Sequence, residues 1–180
     1  MDTRLAEKHH AHLQALRGCV GLRLSTLRRS RYIFNGVPDD SGDGDLELRF
    51  HGGRTVLLTT ASDGESVEAE EGMLRVPEAF TLEGGATCAW DIVDLSGFDS
   101  YPALLGASLD RVAAVIDYHP AIDHSSIAGW GLHFGDRILT FLNQGDESRI
   151  GLDMPPAEPS VVTVLEDICE GHMTFRPTRE

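Results

Sequence analysis

The chain has 180 residues, of which 41% are hydrophobic and 24% charged, and its formal net charge is −14. This composition suits a single globular domain with a substantial core and argues against global disorder, while the charge argues against nucleic acid as a partner, because phosphate binding rests on cations that displace counterions. No apolar run approaches the ~20 residues of a membrane helix, and the N-terminal MDTRLAEKHHAH lacks the apolar segment of a secretory signal, so the expected setting is the cytoplasm, without a membrane partner.

Residues 3–17 fit a short amphipathic helix. Asp2 or Thr3 can cap it, Leu5, His9, Leu13 and Leu16 share a face, and Gly18 stands where a C-terminal glycine belongs. The chain then turns β-like from Val20 to Phe34, with a basic cluster at Arg28, Arg29 and Arg31. Composition makes Asn35 to Asp45, NGVPDDSGDGD, a loop. Alternation at Leu46, Leu48 and Phe50 opens a hairpin unit, a further strand is expected around Thr87–Val93, and Trp130, Leu132 and Phe134 alternate in the same way later. Residues 104–117 have helical spacing as well as strand character, and their place in the chain argues for a strand. Three prolines make 154–159 a stiff linker, and SVVTVLEDI supplies a last strand.

The two hairpin regions resemble each other. With Phe50 set on Phe134, both show apolar-x-Leu-x-Phe, a turn closed by Arg54 or Arg137, a Val/Ile/Leu-rich strand, and a turn reading DGES at Asp63 or GDES at Gly145. Gly18 and Gly106 stand at similar distances upstream. The fold class expected is therefore α+β: an N-terminal helix and two similar antiparallel units, 18–76 and 104–153, within one domain, with an internal duplication as the origin.

Candidate chemistry is sparse. Asp39, Ser41, Asp43, Gly44, Asp45 and Glu47 fall on EF-hand loop positions, but Phe50 occupies the position that must be a bidentate Glu. His9, His10 and His12 cluster without a carboxylate spaced to complete a metal site. The odd, widely spaced Cys19, Cys88 and Cys169 read as buried thiols. Neither a nucleophile elbow nor a phosphate loop is present, and the acids of Asp63/Glu65 and Asp146/Glu147 fall in turns. Trp90 and Trp130 read as core residues, either of which could anchor an interface. No cofactor is expected and the chain reads as a non-enzyme. The alternative is a small hydrolase or metal-dependent enzyme assembled around Asp123, His124 and His133.

Charge is unevenly placed. Residues 1–34 balance to +5 and residues 35–180 to −19. Residues 35–104 alone carry −12, well beyond what solubility asks of a small domain. Its acids gather in Asp39, Asp40, Asp43 and Asp45 before the first hairpin and in Glu68, Glu70 and Glu71 after it. Neighbouring sheet ends would join them into one negative surface that steers a basic protein, with Tyr101 as an exposed aromatic anchor. The stretch GWGLHFGDRILTFLNQGDESRI resembles a pattern in small bacterial proteins. Acidic β-rich chains of this size also resemble immunity proteins of polymorphic toxin systems. That resemblance implies an inhibitor of a basic toxin domain and assigns no residue a role.

Overall fold

The computed structural model describes residues 10–39, 44–98, 100–119, 124–145, 147–153 and 162–167. Helix α1 (His10–Arg17) buries Leu13 and Leu16, two of the four residues expected on its inner face. Leu5, His9 and the start of the predicted helix lie outside the described residues. The Gly18 N–H donates to Gln14 O at 3.0 Å and closes the last turn. A Cβ at Gly18 would stand 2.0 Å from Arg54 Nη1, so glycine serves here by close approach.

Twelve strands follow among the described residues, paired antiparallel in two sheets. The first holds β1 (Leu24–Phe34), β2 (Val37–Pro38), β3 (Leu46–Phe50), β4 (Thr55–Thr60), β5 (Val67–Glu71), β6 (Phe80–Thr81) and β7 (Thr87–Asp94). Its order is β5-β4-β3-β1-β7-β6, with β2 added to the end of β1. The second holds β8 (Arg111–His119), β9 (His124–Phe134), β10 (Arg137–Asn143), β11 (Ser148–Leu152) and β12 (Val162–Asp167), in the order β11-β10-β9-β8-β12. The β5-β4-β3-β1-β7 order of the first sheet thus recurs as β11-β10-β9-β8-β12. No helix among the described residues is long and apolar enough to cross a membrane.

The alternating positions do what the period-2 pattern asks. Leu46, Leu48 and Phe50 are buried, and so are Trp130, Leu132 and Phe134. One cluster of buried side chains joins them to Leu13 and Leu16 of α1 and to Val112, Ala114 and Ile116 of β8. The 104–117 stretch resolves into a 3₁₀ turn over Tyr101–Leu104 and then strand β8. Apolar spacing alone could not separate the two because Val112, Ala114 and Ile116 fit one strand face while Leu105, Leu109, Val112, Val115 and Ile116 fit one helix face.

Two sequence expectations need correction. The Asn35–Asp45 stretch is not loop throughout. Asn35 and Gly36 adopt φ of 49° and 77°, the signature of a type I′ turn, and fold β2 back on β1. The Asn-Gly signal is local and strong, and the acidic run beside it obscured it. Tyr101 is no exposed anchor either: it is half-buried and packs against the core, and burial raises its phenol above the ordinary value. The 3₁₀ turn that sinks Leu104 into the core carries Tyr101 with it. Residues 154–161, and the tail after Asp167, lie outside the described residues.

Candidate functional site

Strand β1 outruns its neighbour. Strand β3 pairs with Leu24–Arg29 only, whereas β7 runs along Arg28–Phe34. Directly opposed residues of an antiparallel pair share a face. Ser30, Tyr32 and Phe34 of β1 therefore lie beside Ile92, Trp90 and Cys88 of β7, and β6 brings Phe80 opposite Cys88. The rings form a ladder, with centroids 5.2 Å apart for Tyr32–Trp90, 5.9 Å for Phe80–Trp90 and 6.4 Å for Tyr32–Phe34. Apolar side chains on this face are open to solvent: Phe34 is 44% exposed, Phe80 49%, Leu82 45% and Val37, opposite Phe34, 67%. Nearer the start of β1, the same face is closed. There Glu47 is fully buried and the buried Leu74 donates its N–H to Glu47 Oε2 at 2.7 Å.

At the margin of the ladder, where β3 ends, lies a cavity of about 320 Å³. Tyr32 and Trp90 line it together with the acidic residues Asp39, Asp45 and Glu147; Ser30, Gly44, Thr60 and Ser148 complete it. Backbone contacts hold it in shape. The Ser30 N–H donates to Asp45 O and the Asp45 N–H to Ser30 Oγ, both at 2.9 Å. The Asp39 N–H donates to Tyr32 O at 2.8 Å. The second sheet supplies the far side: Ser148 Oγ accepts the Gly44 N–H at 3.0 Å and donates to Gly44 O at 2.7 Å. Gly44 has φ of 124°, and a Cβ there would meet Ser30 O at 2.2 Å, so only glycine fits.

The cavity's acidic residues outnumber its basic ones, three to none in the lining. Burial raises the Asp45 carboxyl above its ordinary value. Among the described residues no donor or cation meets the side-chain carboxylate of Asp45 or Glu147. Two arginines of β1 form ion pairs with other acids, Arg28 with Glu47 at 2.6 Å and Arg31 with Asp91 at 2.7 Å. Among the described residues no three His, Cys, Asp or Glu side chains come together in a way that could hold a metal ion. A group with spread positive charge and a flat face suits such a lining, because ring faces attract cations and carboxylates accept their N–H groups.

The structure divides the acids that the sequence placed on one surface. Asp39 and Asp45 line the cavity; Asp40 and Asp43 lie outside the described residues. Glu68, Glu70 and Glu71 sit on β5, the sheet edge, with β3 and β4 between them and β1. Glu70 and Glu71 border a separate groove of about 810 Å³ against α1, where Glu71 pairs with Arg54 at 2.6 Å. The edge is occupied by α1, whose His12 Nδ1 lies 2.9 Å from Ala69 O and 3.2 Å from Ala69 N. Glu147, which the sequence offered only as a turn acid, joins Asp39 and Asp45 instead.

His124 and His133 are not brought together. They stand at opposite ends of β9, nine residues or ~30 Å apart at strand rise. His124 approaches Glu65 at 3.2 Å and His133 lies against Arg111 Nη2, while Asp123 is outside the described residues. Of the two tryptophans, Trp130 is fully buried, and Trp90 stands half-exposed in the ladder. Sequence reasoning missed Tyr32, Phe34 and Phe80, and the signal that could have found them is the pairing of β1 with β7. No protein-family model, curated protein or solved structure matches the chain.

Proposed function

We propose that this chain is a non-enzymatic binding protein that captures a basic protein through its acidic and aromatic face, as an immunity-type inhibitor covers the positive cleft of a toxin. The observation that carries the proposal is the coincidence of an exposed aromatic ladder with a cavity lined by three acidic residues, of which Asp45 and Glu147 have no described side-chain partner. Apolar side chains of this size left open mark interaction surfaces, and aromatic residues ringed by charge supply anchor and steering together. The net charge of −14 extends the attraction beyond contact distance.

The test is affinity capture from the native host, with the natural chain and with the D39K/D45K/E147K variant side by side. Proteins retained by the first and lost by the second should be basic, and their association rate should fall as salt rises. Retention of the same proteins by both chains, or recovery of acidic proteins only, would count against the proposal.

A second proposal concerns origin: the two meanders arose by duplication. Phe50 faces Arg54 across one turn, its N–H donating to Arg54 O at 2.8 Å, and Phe134 is paired with Arg137 across the other. Leu48 faces Val56 as Leu132 faces Leu139, and Leu58 faces Ala69 as Phe141 faces Ile150. Each arginine also reaches an acid near the end of its third strand, Arg54 to Glu71 and Arg137 to Asp153, both at 2.6 Å. Ancestral sequences reconstructed from homologues should bring the two segments closer together; segments that stay equally distant at every depth would refute duplication.

A further inference from the structure

The cavity and the ladder are adjacent and chemically different, and an occupant must satisfy both. Tyr32 and Trp90 belong to both, lining the cavity and standing in the ring series that continues to Phe34 and Phe80. A metal ion would leave the rings unused, and the carboxylates do not converge on one point. A small free amine would leave Phe34, Phe80, Val37 and Leu82 in water. A lysine ammonium is a compact, strongly hydrated charge, whereas a guanidinium is planar, weakly hydrated, stacks on aromatic faces and offers five N–H groups to several carboxylates at once. The volume of about 320 Å³ lies at the small end of the ~300–1,000 Å³ typical of ligand sites, which suits one long side chain better than a whole cofactor.

From these observations we infer that the cavity receives an arginine side chain from an extended segment of the basic partner, with a neighbouring apolar side chain of that segment lying on Phe34 and Phe80. The inference rests on the binding function proposed above. Its guanidinium plane stacks on Trp90 and Tyr32, and its N–H groups donate to Asp45 and Glu147. Such a cation also relieves the desolvated Asp45 carboxylate, which has no described partner. The ladder adds contact area, and the side chain two positions along an extended chain from the arginine lies on the same side, close enough to reach it.

The experiment uses the full chain and three peptides, Ac-Leu-Gly-Arg-Gly-Phe-NH₂ and its lysine and citrulline counterparts, followed by amide chemical shifts and by the fluorescence of Trp90. The expected result is saturable shifts at 30–34, 44–45, 88–92 and 147–148 with the arginine peptide. Binding should weaken about tenfold with citrulline, which keeps the shape and loses the charge, and measurably with lysine. D45N/E147Q should give a similar loss while leaving the Asp45 backbone bonds to Ser30 intact, so that the fold persists. W90L should lose the fluorescence change and weaken binding. Equal binding of the lysine and arginine peptides would overturn the guanidinium assignment and leave the binding function standing. Shifts confined to the β5 edge, or no shifts with any peptide while a host-derived basic partner still binds, would overturn the cavity as the receptor. Failure of the host partner to bind as well would overturn the binding function itself.

Discussion

Glu47 Oε2 accepts the N–H of Leu74 at 2.7 Å, and Oε1 of the same carboxylate accepts from Arg28 Nε at 2.8 Å and Arg49 Nε at 2.7 Å. The group is fully buried on the outer face of the first sheet. Burial pushes its carboxyl up, and the Leu74 N–H, Arg49 and Arg28 together outweigh burial, so the folded value is lowered. Glu47 thus contributes stability that is fully present above the unfolded value near ~4.3 and is lost as pH falls through the lower folded value. Glu47→Gln should cost about 3 kcal/mol at neutral pH, the low end for a broken buried pair, because Arg28 and Arg49 reach water and can rehydrate. Urea midpoints of the two proteins from neutral pH downward provide the check. The gap should narrow below about pH 4.3, and a gap constant with pH would show that the carboxylate charge is not its source.

Arg54 and Arg137 occupy matching positions but carry different loads. Arg137 Nε approaches Asp153 at 2.6 Å as an ion pair without hydrogen-bond alignment, and both side chains are partly exposed. Arg54 pairs with Glu71 and also donates from Nη1 to Gly18 O, which ties the C-terminal end of α1 to the sheet. Arg137→Met should therefore change stability by less than ~1 kcal/mol, as exposed pairs do. Arg54→Met should in addition speed amide exchange in His10–Arg17, because it frees the end of that helix. Equal exchange in the two variants would mean that Arg54 does not hold α1.

The apolar stripe of each meander was legible in the sequence because it needs only local alternation. Leu46, Leu48 and Phe50 all point inward, as do Trp130, Leu132 and Phe134. The strand around Trp90 was legible too, but its orientation was not. In CAWDIVD both faces carry apolar residues, Ala89 and Val93 on one and Trp90 and Ile92 on the other, so alternation does not say which side meets water. The site depends on that missing choice and on the pairing of β1 with β7, strands far apart in the chain. The acids were visible as a charge imbalance, but their division between a cavity and the β5 edge is a property of strand order, which composition does not contain. Tyr101 was misjudged because its burial depends on Leu104, three residues on, which draws the 3₁₀ turn inward.

Gly129 sits on β9 opposite Leu142 and beside the irregularity between Val115 and Ile116. A Cβ there would lie 2.6 Å from both Phe141 O and Leu142 Cδ2. The carbonyl belongs to the backbone and cannot swing aside, so Gly129→Ala should cost about 1–3 kcal/mol, the usual range for overpacking. Gly97→Ala is the matched control: its Cβ would meet nothing within 4 Å, and it should be neutral or slightly stabilising. Thermal melts of the two variants distinguish steric crowding from a general intolerance of alanine.

Gly44 is the point on which the cavity's shape depends. Its φ of 124° is one that residues with a side chain rarely adopt, and its missing Cβ leaves room for Ser30 O at 2.2 Å. It also carries both hydrogen bonds to Ser148, which join the first sheet to the turn of the second that supplies Glu147. Gly44→Ala forces this backbone away from Ser30. The Asp45 bonds to Ser30 and the Ser148 bonds must then lengthen together, and Asp45 and Glu147 move apart. The expected outcome is a loss of about 1–3 kcal/mol in stability and a larger loss of arginine-peptide affinity than of stability at 25 °C. Ser148→Ala removes the same two bonds without the backbone strain, so it should weaken binding with a smaller effect on the melting temperature. If Gly44→Ala melted early yet bound the arginine peptide as the natural chain does, the cavity geometry described here would not be the one that recognises it.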